Sequence, residues 1–328
     1  MEQNELKNIV SHFAIRGTVS EIKPLGAGLI NDTLLVTTAE ADAPNYVLQR
    51  VNTNVFPDVD LVMRNIYAVT THIRKKLEAA GETEMCIRDR SSRAAGKAFG
   101  QFQAMLADIP VELGETIKDF HNMEFRLQQL REVIAKDPVG RVAEPEVQAM
   151  LKEIDARAEY MCQAERMGRE GILPKRVCHC DTKVNNMMFD QQDNVLCVID
   201  LDTVMPNFIF SDYGDFLRTG ANKVAEDHQD MDAVCFDVDI FKEFTKGYLA
   251  SASSFLTRVE IENLPYAVKL FPYMQCVRFL WDYLSGDKYW KCQYANHNFV
   301  RANNQLHLLL SIEKHEPEME AFIADCLK

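Results

Sequence analysis

The chain has 328 residues, 47% apolar and 26% charged, enough to bury a sizeable core without disulfide or metal staples. A net charge of −13 with no basic block argues against a general nucleic-acid binder or a protein that docks on anionic membranes. No run is long and apolar enough to span a bilayer, and the nine cysteines are scattered, as reduced thiols would be, so a cytoplasmic protein is expected.

Residues 1–13 read as a short amphipathic helix, with Leu6, Ile9, Val10 and Phe13 among charged residues. Residues 18–25 and 33–38 are β-like runs around Gly26-Ala27-Gly28-Leu29-Ile30-Asn31-Asp32, which suggests a hairpin. A third strand follows at 45–51. Leu61, Val62, Ile66, Val69, Ile73 and Leu77 recur at helical spacing and predict a helix over 60–80, ended by Gly81. Helices are predicted at 95–106, 120–135 and 145–168. Three short apolar runs, 176–180, 187–190 and 195–199, read as strands, with a turn at 191–194. Helices resume from Phe208. A β-rich lobe over residues 1–93 and a helical lobe over 94–328 with an inserted hairpin make the class α+β.

The chemistry concentrates in V-C-H-C-D-T-K-V-N-N-M-M-F-D-Q-Q-D-N-V-L-C-V-I-D-L-D, residues 177–202. Asp181 follows a strand, where burying a carboxylate is costly unless it has a task or a partner. Asn186 lies five residues on, and Asp200 ends a strand fourteen residues after that. A turn with paired strands brings the loop and the strand end to one edge. There an amide oxygen and a carboxylate offer the hard donors that magnesium prefers, with Asp181 placed to accept a hydroxyl proton. The bland alternative treats Asp181, Asn185 and Asn186 as turn formers and Asp200 as a strand end. A metal-dependent hydrolase using His179, Asp181, Asp200 and Asp202 is a third possibility.

H-C-D-T-K-V-N-N followed by V-I-D-L-D resembles the H-x-D-x-x-x-x-N and I-D motifs of the aminoglycoside phosphotransferase and choline kinase superfamily. D-T-K-V-N-N-M-M-F-D, V-I-D-L-D-T-V-M-P and D-Y-G-D are similar to N-acetylhexosamine 1-kinases. The resemblance implies a protein-kinase-like bilobal fold, ATP and Mg2+, and transfer to the anomeric hydroxyl of GlcNAc or GalNAc. It makes Asp181 the base and Asn186 and Asp200 the metal ligands. It sets Gly26, Gly28 and Asn31 over the ATP phosphates, and Arg50, or Gln49, where kinases keep a phosphate-pairing lysine. Arg64 stands where that cation's carboxylate partner would be expected, and Cys180 where the family often has Gly or Asn. Arg278, Asp282, Tyr289 and Trp290 resemble the sugar-contacting region, while Asp212, Asp215 and His179 would anchor the catalytic loop. Choline, homoserine and aminoglycoside kinases are the neighbouring alternatives; a binding protein or inactive kinase is the alternative from another class.

Residues 81–93, G-E-T-E-M-C-I-R-D-R-S-S-R, break this pattern. The family places further strands and an adenine-gripping hinge here, whereas this chain goes straight into a helix. Glu84 to Arg90 reads like a translated sequencing adapter, so the expectation is that native residues have been replaced, the alternative being a natural short loop, and that ATP binding by this chain is weak or absent.

Overall fold

A helix and three strands open the chain: α1 (Gln3–Val10), β1 (Val19–Pro24), β2 (Asp32–Thr38) and β3 (Tyr46–Arg50). The computed structural model describes residues 3–25, 30–81, 92–189 and 195–328. The strands form an antiparallel meander in the order β1-β2-β3. Ile22 of β1 stands opposite Val36 of β2, and both are buried with Leu6 and Val10 of α1. Period-two alternation in the strands and i, i+4 spacing in the helix thus bring one apolar face of each together. The hairpin expected around residues 26–32 is present as the β1–β2 pair. Gly26 and Gly28 themselves lie outside the described residues.

The described residues divide into two compact units, with the boundary after Val59. In sequence terms the boundary was set at residue 93, after the helix that follows the strands. That helix, α2 (Val59–Ala80), has its bonds within the second unit. Asn65 donates from Nδ2 to the carbonyls of Gly114 and Val204 at 2.8 and 2.9 Å, and His72 bonds the Met105 carbonyl at 3.0 Å. Most of residues 81–93 lies outside the described part of the chain.

The second unit continues with α3 (Ser92–Leu106), α4 (Met123–Lys136), α5 (Pro145–Met161), α6 (Gln163–Arg169), β4 (Arg176–Cys178), β5 (Met187–Phe189), β6 (Val195–Val198), β7 (Met205–Asn207), α7 (Phe210–Gly220), α8 (Val238–Ala252), α9 (Arg258–Glu262), α10 (Leu264–Ser285), α11 (His297–Lys314) and α12 (Glu316–Cys326). Helix α10 is apolar almost all round and runs through the core. Helices α3 and α8 meet backbone to backbone. A methyl group on Gly247 would lie 1.9 Å from the Arg93 carbonyl oxygen, and one on Gly96 2.1 Å from that of Phe244.

Two local differences from the sequence expectation have clear causes. The helix predicted over 145–168 is two helices, because the buried hydroxyl of Tyr266 enters the ladder between them. It donates to the Met161 carbonyl at 2.8 Å and accepts from the Ala164 amide at 3.2 Å. The helix predicted from residue 120 starts at Met123, where Asn122 caps it by accepting from the Phe125 amide at 3.1 Å. Strand β7, not foreseen, pairs antiparallel with β4 and completes the ribbon on which the catalytic-type loop is mounted.

Candidate active site

The loop from His179 to Asn186 hangs between β4 and β5. Its first turn needs Cys180 in the left-handed region, φ 64°, a conformation that Gly and Asn adopt more readily than other residues. That strain is held from below by Asp212. Its buried carboxylate accepts from the amides of His179 and Cys180 at 2.9 and 2.8 Å and from Gln103 Nε2 at 2.8 Å. Gln103 in turn accepts from the Tyr248 hydroxyl at 2.5 Å, so a chain of buried polar groups ties α8 and α3 to the loop. Asp215 repeats the device one turn later, accepting from the Thr182 amide at 3.1 Å and from Arg218 at 2.9 and 3.0 Å. Burial raises the pKa of both carboxyls against these bonds. His179 donates from Nε2 to the Ile199 carbonyl at 2.7 Å, and Thr203 donates to the His179 carbonyl at 2.7 Å.

Above this base the site residues converge. Asn186 is buried, and its amide nitrogen donates to the Asp181 carbonyl at 2.8 Å and to Asp181 Oδ2 at 2.9 Å. Lys183 donates to the same Oδ2 at 2.6 Å. Both side-chain bonds end on Oδ2, which leaves Oδ1 of the partly exposed Asp181 to accept a proton. β5 pairs with β6, and the ladder runs on as the Ile199 amide donates to the Asn186 carbonyl at 2.9 Å. Asn186 and Asp200 therefore stand at the same end of one hairpin, as their spacing predicts. Asp200 also takes a left-handed conformation, φ 64°, which turns the chain sharply at the strand end.

The donor set fits a magnesium ion. With its nitrogen committed to Asp181, Asn186 has its side-chain oxygen free to ligate, and Asp200 brings a carboxylate. Lys183 was not singled out in the sequence. Its position two residues after Asp181, as the cation of the loop, was the available signal. Burial disfavours its charge, but Asp181, Asp200 and Asp215 outweigh that and raise its pKa, so it stays an ammonium.

The residues expected to meet the acceptor separate into two kinds. Asp282 is fully buried, and its carboxylate accepts from the amides of Lys288, Tyr289 and Trp290 at 2.9 to 3.0 Å and from Asn298 at 2.9 Å. It holds the loop that carries the aromatics. Arg278, Tyr289 and Trp290 line a cleft of about 90 Å3 with Arg126, Gln129 and Trp281. The Arg278 guanidinium lies 5.2 Å over Trp290 and 5.0 Å over Phe120 and bonds Gln275 at 2.8 Å. Arg126 donates to the Phe120 carbonyl and to Gln129. Among the described residues neither arginine forms an ion pair with a carboxylate. Burial, and for Arg126 the neighbouring Arg278, lower both pKa values, that of Arg126 to about 9. Arg126 was missed in the sequence because it lies far from the motif.

The nucleotide-binding residues expected in the strand unit are placed as follows. Asn31 is buried and its side-chain oxygen accepts from the Asn52 amide at 2.9 Å. Arg50 is mostly exposed and pairs with Asp32 across the β2–β3 ladder at 2.5 Å.

Comparison with known proteins gives a match of residues 80–238 to the phosphotransferase enzyme family. The fold is similar to choline kinase from Cryptosporidium parvum Iowa II, with a TM-score of 0.60 at 13% identity over 98% of this chain and 100% of that one. Choline kinase from Streptococcus pneumoniae gives 0.56 at 13% identity, covering 94% and 99% of the two chains. Plasmodium vivax ethanolamine kinase gives 0.51 at 12%, covering 92% and 94%.

Proposed function

We propose that this chain, a phosphotransferase of the aminoglycoside phosphotransferase and choline kinase superfamily, moves the terminal phosphoryl group of ATP to the anomeric hydroxyl of an N-acetylhexosamine. The observation that carries the reaction type is the bond from Asn186 to Asp181 Oδ2 at 2.9 Å, on the hairpin that ends at Asp200. Asp181 Oδ1 accepts the proton of the attacking hydroxyl, which makes that oxygen a better nucleophile. Asn186 and Lys183 hold the carboxylate in place through their bonds to Oδ2. Lys183, the ammonium among Asp181, Asp200 and Asp215, is the loop cation we assign to offset charge on the transferred group. Bound through Asn186 and Asp200, Mg2+ would neutralise phosphate charge. Gly26, Gly28 and Asn31 over the phosphates, and Arg50 beside them, are the part of the reading that rests on the sequence resemblance.

The cleft at Arg278 supports the choice of acceptor class. Its lining has two arginines, three aromatic side chains and Gln129, with no acid. A choline, ethanolamine or aminoglycoside cation would meet like charge there. At about 90 Å3 the cleft takes one part of a neutral sugar, whose acetamido oxygen finds guanidinium donors there beside aromatic faces.

The test is ATP consumption with magnesium and GlcNAc, GalNAc, choline, ethanolamine and kanamycin, beside an Asp181→Asn control. Hexosamine-dependent turnover that the control loses supports the reading. Turnover with choline or kanamycin but not hexosamine would sink the acceptor assignment.

A further inference from the structure

A cavity of about 520 Å3 opens between the segment leading into α4, helix α6 and strand β7, and none of the residues given a catalytic, metal-binding or acceptor role lines it. Its volume lies in the range of small-molecule sites. Glu165 of α6 lines it and is 8% exposed. One oxygen, Oε1, accepts from the Met123 amide at 2.7 Å at the start of α4; the other, Oε2, is buried with no hydrogen-bond partner among the described residues. An orphaned carboxylate oxygen in a buried wall is unfavourable, so it is a position where a donor is missing.

The surrounding charges say which donor. Two cations line the cavity, and both are committed to acids: Lys175 pairs with Glu115 at 2.7 Å, and Arg169 forks onto Glu124 at 2.7 and 2.8 Å. His121 lies in the wall, where burial and then Arg278, Arg126 and Arg218 hold its pKa well below the usual value, so the ring is neutral. Asp119, which accepts from Asn122 Nδ2 at 2.9 Å, adds to the acidic side, and Glu165 keeps one carboxylate oxygen without a donor. Phe120, Phe208, Leu173 and Met205 supply apolar wall.

We propose that this cavity binds a protonated primary amine carried on a flat apolar body, with the ammonium donating to Glu165. The ammonium brings three donors to a site with spare acceptors, and the apolar body covers the side chains around it. Met205 also packs with Cys178 and Cys180, so an occupant touches the strand that supports the loop one residue before Asp181.

The groups that face Glu165 are Glu124 of α4, Arg169 of α6, Cys162 between α5 and α6, and Tyr266 of α10. Burial, the largest influence, raises the Glu165 pKa to about 7, with Glu124 adding to the rise and Arg169 opposing it. An amine therefore binds best where Glu165 is ionised.

The test uses 2-phenylethylamine and its neutral counterpart 2-phenylethanol with the intact chain, by calorimetry or ligand-observed NMR, at about pH 8 and about pH 5.5. The expected result is amine binding at least about tenfold tighter than alcohol at the higher pH, a preference that shrinks at the lower pH. Glu165→Gln keeps an oxygen for the Met123 amide and should erase the preference. Equal binding of amine and alcohol, binding of neither, or an amine preference intact in Glu165→Gln would each overturn the proposal. The readout needs no phosphoryl transfer, so it stands or falls apart from the kinase assignment.

Discussion

Asn186 donates one amide group to two oxygens of Asp181, the backbone carbonyl at 2.8 Å and Oδ2 at 2.9 Å. The residue proposed to hold the metal is thereby also the residue that orients the proposed base. Asn186→Ala removes both roles. We expect the magnesium concentration for half-maximal activity to rise about tenfold or more, together with a fall in kcat. A magnesium titration of the variant checks this; an unchanged midpoint would separate Asn186 from the metal.

Lys183→Met should lower kcat by about a hundredfold while leaving the KM for the acceptor near its wild-type value, because the ammonium acts on charge that grows in the transition state. Steady-state kinetics in both substrates would show the split. A rise in acceptor KM alone would assign Lys183 to sugar binding instead.

Asp282 binds three successive amides and Asn298 from a fully buried position. Asp282→Ala leaves those donors without their anion and should cost about 2–4 kcal/mol of stability. Urea unfolding measures the loss. If Tyr289 and Trp290 meet the acceptor, the folded fraction of the variant also shows a raised acceptor KM.

Glu165 gives a pH dependence whose sign is fixed. Its folded pKa, about 7, lies above the ordinary 4.5 because burial disfavours the charged form. The stabilisation it contributes is full below about pH 4.5 and is lost as pH rises through about 7. Glu165→Gln should flatten the stability decline across that window, followed by urea unfolding at several pH values. An identical slope in wild type and variant would place the titration elsewhere.

Tyr266→Phe withdraws the hydroxyl wedged between α5 and α6 and strands the Met161 carbonyl and the Ala164 amide. A loss of about 1–3 kcal/mol is expected, again by urea unfolding. A neutral result would mean that the helix closes across Cys162 once the hydroxyl is gone.

The catalytic-type loop was legible because its information is local. Asp181, Asn186 and Asp200 lie on one contiguous stretch whose two strands, β5 and β6, pair, while the turn expected at 191–194 lies outside the described residues. The α+β class and the first hairpin were legible for the same reason. What could not be read depends on distant partners. Gln103 meets Asp212 across 109 residues, and Tyr266 meets Met161 across 105. Neither pairing leaves a periodic trace. Asp282 shows the converse: the motif marked the right segment, but only the three-dimensional structure reveals that its carboxylate faces the backbone of its own loop.

The arginine pair at the aromatic cleft has a practical consequence. Arg278 opposes the charge of Arg126, and among the described residues neither forms an ion pair with an acid, so the cleft is expected to attract small anions from the buffer. Sulfate or phosphate in an assay would compete with the acceptor, more strongly as its charge increases. If the proposed acceptor binds there, its apparent affinity is a joint property of the protein and its counter-ions, and two acceptors can be ranked only in the same salt.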